Sequence, residues 1–183
     1  MGFLVTGLSL WCLGHLLPRV NPGLGARVGK GPLRASMAVA IGLGLLFIIL
    51  GFRAAPYVAV WTPPSWAIHL NNLMMLGAVM LFGMGKSKGR ARSWLRHPML
   101  TGVIVWALAH LLVNGDVAAI LLFGGMLVWA GLEIVVINAT SPAWVRPAPG
   151  PVSGDLRLGA IGLVLFGGIA AVHTWLGYSP FPG

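Results

Sequence analysis

The chain has 183 residues, 57% hydrophobic and only 8% charged, against the roughly 25% charged of a typical soluble domain; so few charges cannot clothe a soluble surface. Three acids, Asp116, Glu133 and Asp155, stand against twelve Lys and Arg for a net charge of +9. Nearly all the cations lie in short loops between apolar runs, which reads as membrane flanks and argues against nucleic-acid binding. The single cysteine, Cys12, excludes a disulfide framework and a cysteine-built metal site.

Crossing a hydrocarbon core of about 30 Å takes roughly 17 to 25 apolar residues, and six runs approach or meet that length. The first, about 2 to 18, stops at Pro18; with no Lys or Arg before it and no small-residue cleavage pattern after it, it reads as a retained helix. The second covers about 35 to 53. The third, about 65 to 85, follows the turn Trp61-Thr62-Pro63-Pro64-Ser65-Trp66. The fourth, 98 to 113, opens on Pro98, whose missing N–H needs no partner in a first turn. Asn114-Gly115-Asp116 then makes a tight turn in which Asp116 caps the fifth helix, about 117 to 138, and sets the two as an antiparallel hairpin. The sixth, about 158 to 178, comes after a loop holding Pro142, Pro147, Pro149 and Pro151. The expected architecture is an all-α, polytopic helical bundle forming one domain over 1–183, without an internal repeat.

Arg19, Arg27, Lys30, Arg34, Lys86, Lys88, Arg90, Arg92, Arg96, Arg146 and Arg157 all follow the odd-numbered helices, and only Arg53 falls on the other side. Under the positive-inside rule that bias puts both termini outside the cytoplasm. Tyr57, Trp61 and Trp66 on one side and Trp94 and Trp144 on the other fit interfacial aromatic belts. Gly124, Gly125, Gly131, Gly162, Gly167 and Gly168 are expected to let helix backbones approach.

Polar groups within a membrane helix are costly and tend to be functional, so the five histidines carry the chemical information. His15 and His97 fall near the inner ends of their helices, His69 and His173 near outer ends. His110 lies 13 residues, about 20 Å, beyond His97, too deep to reach the inner surface. Taken singly, such a histidine is satisfied by a backbone carbonyl or by Asn71 or Asn72. As a set, several imidazoles with no cysteine ligands and almost no carboxylates suit a haem held by axial histidine better than a zinc or di-iron site. On depth alone, His69 and His173 are rival partners for His110. Trp106 shares a face with His110 at four-residue spacing, as a stacking or a packing residue. Glu133 is expected to form a salt bridge with Arg92, Arg96 or His97. No nucleophile motif is present.

Gly14-His15-Leu16-Leu17-Pro18, Trp61-Thr62-Pro63-Pro64, Arg96-His97-Pro98, the run Ala109-His110-Leu111-Leu112-Val113-Asn114-Gly115-Asp116, and His173 ahead of Ser179-Pro180 together resemble the NnrU family. The resemblance implies a multi-pass protein of the bacterial inner membrane, termini periplasmic, linked to denitrification and so to a nitrite or nitric oxide reductase. The same superfamily includes zeta-carotene isomerase, a membrane enzyme with haem b that isomerises a cis double bond of an apolar polyene. By motif, its haem ligands correspond to His15 and His110. The resemblance implies a haem-dependent isomerase as an alternative; the rival reading of the residues is a structural or accessory subunit without cofactor, its histidines bonding helices together.

Overall fold

A computed structural model describes residues 1–181. Seven α-helices make up the described chain: α1 (Gly2–Val20), α2 (Leu24–Val28), α3 (Lys30–Arg53), α4 (Ala67–Met84), α5 (Pro98–Val113), α6 (Val117–Thr140) and α7 (Val152–Trp175). Among the described residues the only β feature is an isolated bridge between Ala59 and Asp116. The protein is an all-α polytopic membrane protein. Helices α1, α3, α4, α6 and α7 are long and apolar enough to span a bilayer, and α5 is apolar but shorter, its 16 residues covering about 24 Å.

Helix starts are where hydropathy misleads. The second apolar run begins helically at Lys30, not 35: Gly29 adopts a φ of +88°, and Pro32 fits the first turn. The sixth begins at Val152, not 158, directly after Pro151, because its polar first turn contains Asp155, whose carboxylate has a structural task. The short α2 has no apolar signature. Pro98 opens α5 as expected, and Asp116 caps α6 by accepting the N–H of Ala119 at 3.1 Å.

The helices group into two compact units, Met1–Thr62 with Asn114–Pro142, and Pro63–Val113 with Ala143–Gly183. In the first, α1 lies along α3 at backbone contact. A Cβ on Gly7 would stand 2.6 Å from the Ile48 amide nitrogen and 2.8 Å from the Gly44 carbonyl; one on Gly44 would stand 2.9 Å from the Trp11 amide. Gly51 meets the Leu4 backbone still more closely. Of the six glycines singled out for packing, only Gly125 and Gly162 meet a neighbouring helix closely, at Leu8 and Met80. A Cβ on Gly124, Gly131, Gly167 or Gly168 would have no neighbouring atom within 4 Å among the described residues; the glycines at helix-to-helix backbone contact in this unit are on α1 and α3. Helix α6 packs on α1, and the Val58 carbonyl and the Val60 and Trp61 amides pair with the backbone of the 115–117 turn.

In the second unit, α4 and α5 pack closely, Gly102 admitting Phe82 and the Ala78 carbonyl. Helix α7 rests on α4 and hardly touches α5. The 85–97 loop is clasped to the start of α7: Asp155 accepts the N–H groups of Arg90 and Ala91 at 3.1 and 3.0 Å, and Arg92 donates twice to the Ala148 carbonyl. The chain passes between units at Asn114, so α5 is built with α4, and α6 with α1.

Candidate functional site

A carbonyl oxygen only accepts, so an imidazole Nδ1 bonded to one must be donating. Three histidines make this bond to the carbonyl one turn back in their own helix: His15 to Trp11 at 2.8 Å, His110 to Trp106 at 2.9 Å and His173 to Ile169 at 2.8 Å. Each neutral ring therefore carries its lone pair on Nε2. This is the arrangement that orients a metal-ligating histidine and fixes its tautomer. The partner expected for His110 is thus a backbone carbonyl of its own helix. Asn71 and Asn72 serve it as cavity neighbours.

Two of these bonds arise from one pattern, written twice. Trp11-Cys12-Leu13-Gly14-His15-Leu16-Leu17 and Trp106-Ala107-Leu108-Ala109-His110-Leu111-Leu112 share Trp, Leu, a small residue, His and Leu-Leu at identical spacing. The expectation of no internal repeat is therefore corrected at this short scale. The physical logic is common to both copies. Tryptophan four residues before histidine places both on one face, and the small residue before histidine lies on the adjoining face, where Gly14 packs against Ile41 of α3 and Ala109 is buried. The rings contact each other at 4.5 Å in the first copy and 5.2 Å in the second.

The surroundings differ. His15 is boxed between two indoles, Trp11 on its own helix and Trp129 of α6, the latter at 4.9 Å edge to face. One turn on, Arg19 Nε meets the buried Glu133 at 2.9 Å. This pair replaces the one expected with Arg92, Arg96 or His97. The cause is packing: residues 129 and 133 of α6 face α1, where 11, 15 and 19 form the matching stripe. On the adjoining face, Leu8, Cys12 and Leu16 with Gly124, Gly125 and Trp129 line an apolar groove of about 470 Å³.

His110 instead lines a cavity of about 50 Å³ with His173, Asn71, Asn72 and Pro180. Asn71 is buried; its amide nitrogen donates to Asn72 Oδ1 at 3.0 Å, its own Oδ1 has no partner among the described residues, and Asn72 donates to the Pro180 carbonyl at 2.8 Å. His69 is exposed in the first turn of α4, and His97, before α5, accepts Thr101 through its carbonyl at 2.9 Å. The structure thus brings His110 together with His173. No group of three or more His, Cys, Asp or Glu placed to hold a metal ion occurs among the described residues. The donor set is imidazole and amide, which fits a haem iron better than a hydrolytic metal. The cavity has room for a few waters and not for a macrocycle.

Fold and site define a polytopic α-helical membrane protein whose apolar helices carry three imidazoles held in one tautomer. The family model described as NnrU protein matches residues 3–180, and the chain belongs to the NnrU family. No curated protein and no solved structure matches it.

Proposed function

We propose that this protein binds haem b within the bacterial inner membrane, both termini periplasmic, and supports nitrite and nitric oxide reduction as a redox or accessory partner of a reductase. The observation that carries the reading is the imidazole of His110 on an apolar helix, its Nδ1 held by the Trp106 carbonyl. When bound, haem supplies one-electron chemistry and an iron that takes small ligands. The chain's own part is to hold the imidazole plane with the Trp106 carbonyl, to flank it with the Trp106 indole and to exclude water with Val79, Phe166 and Ile169. The eleven-to-one distribution of cations supports the orientation.

The visible spectrum of detergent-purified protein tests this. A Soret band that shifts on dithionite reduction and disappears in His110→Ala, while surviving in His97→Ala, is the expected result; a colourless protein from haem-replete cells contradicts it. For the physiological role, cells lacking the protein are expected to accumulate nitrite or nitric oxide during anaerobic growth on nitrate, and His110→Ala to fail in complementation. The groove of α1 and α6 favours a second reading, a haem-dependent cis-trans isomerase, since its volume and apolar lining suit an elongated apolar molecule such as a polyene. Unchanged isomer ratios with reduced, haem-loaded protein would rule that out.

A further inference from the structure

We propose that the 85–97 loop and the start of α7 form a binding site for the head group of an anionic phospholipid. The proposal is independent of the haem reading. Residues 86 to 96 carry five of the chain's twelve Lys and Arg and no acid. They join the ends of α4 and α5, two apolar helices packed on one another, and a loop at the end of such a pair lies at the depth of lipid head groups. Lys86, Lys88 and Arg90 are exposed, as is Arg157 in the second turn of α7. The one acid of this unit, Asp155, is engaged by the backbone N–H groups of Arg90 and Ala91.

A loop whose cations only set topology needs no fixed shape, and this one is built. Gly89 lies at backbone contact with the 150–155 segment: a Cβ there would run into Asp155, one on Gly150 into the Lys88 carbonyl, and one on Gly154 into Gly89. The Gly150 N–H donates to the Gly89 carbonyl at 3.2 Å, and Ser87 Oγ accepts the Gly89 N–H at 3.0 Å. Ser93 Oγ donates to the Arg90 carbonyl at 2.8 Å, and Arg92 is fixed on the Ala148 carbonyl. The backbone is thus held from within while the side chains at 86, 88 and 90 stay outside. Beside them Trp94 and Leu156 are 63% and 70% exposed, an indole and an alkyl group suited to the membrane interface. Lys and Arg bind a phosphodiester by charge-assisted hydrogen bonds. Cations flanked by exposed apolar groups call for a ligand that is anionic at one end and apolar at the other, which favours a phospholipid over a free anion or an acidic protein.

The test uses full-length protein reconstituted in phosphatidylcholine bilayers. Spin-labelled phosphatidylglycerol and spin-labelled phosphatidylcholine are the probes, and electron paramagnetic resonance reads the fraction immobilised by the protein. Wild type is expected to prefer the phosphatidylglycerol probe by about fivefold or more, the factor for one cation near an anionic surface, and to lose the preference as salt is raised. Lys86→Gln with Lys88→Gln and Arg90→Gln is expected to bring the two probes to near parity. Removing three exposed cations from the other unit, Arg27→Gln with Lys30→Gln and Arg34→Gln, is expected to leave most of the preference. Asp155→Ala raises the net positive charge yet releases the loop, so the site predicts a weaker preference where charge alone predicts a stronger one. Circular dichroism checks that each variant is folded. No preference in wild type, which leaves the cations to topology or to an acidic protein partner, overturns the proposal. An equal loss in the two triple variants, or a gain in Asp155→Ala, overturns it as well.

Discussion

Trp-x-Leu-small-His-Leu-Leu is folded twice in this chain, once in α1 and once in α5, and the two copies differ in what surrounds them. In both, the histidine Nδ1 donates to the tryptophan carbonyl and the rings touch. Around His15 the space is filled by Trp129 and closed by an ion pair; beside His110 lies a cavity of about 50 Å³ lined by another imidazole and two amides. One local motif thus yields a packed layer in one unit and a cavity in the other. The difference comes from the neighbouring helix: α1 is pinned to α3 at backbone distance by Gly7, Gly44 and Gly51, whereas α7 approaches α5 loosely.

Breaking the tight side has the largest expected consequence for stability. Gly7→Leu forces side-chain atoms into the Ile48 and Gly44 backbone and should cost about 3 kcal/mol, as overpacking does. Gly167→Ala, where nothing lies within 4 Å, should be near neutral. Detergent-to-SDS unfolding followed by circular dichroism reads both, and equal midpoints would refute the close-approach account. Arg19→Met strands the buried Glu133 carboxylate. Because Arg19 is 44% exposed, the expected loss is about 2 to 3 kcal/mol, below that of a fully buried pair, and Arg19→Met with Glu133→Leu should recover most of it. On the other side, Asp155→Ala removes the acceptor of two backbone N–H groups. About 1 to 2 kcal/mol is expected, with faster proteolysis of the 85–97 loop. Smallest is Asp116→Ala, about 1 kcal/mol for a lost helix cap, visible as a lowered thermal midpoint with the histidine sites unaltered.

Much of this was legible in the chain itself. Long apolar runs, Pro98 and Asp116 mark the helices, because length and capping are local properties. Packing partners were not, since a turn as short as Asn114-Gly115-Asp116 says which helices are neighbours along the chain and nothing about which faces fit. Glu133 thus meets Arg19 rather than Arg92, Arg96 or His97, and the glycines at backbone contact lie on α1 and α3. The polar first turn of α7 was invisible to hydropathy because Asp155 acts on a loop 64 residues away in sequence. Conversely, the duplicated heptapeptide is a local property, written in the residues around His15 and His110.

The most direct measurement of the central claim is the haem content of wild-type protein purified from haem-replete cells, taken as the pyridine haemochrome against protein concentration. About one haem b per chain is the expected result. A value near zero, with the protein folded by circular dichroism, would contradict the account and leave the fixed imidazoles as packing groups alone.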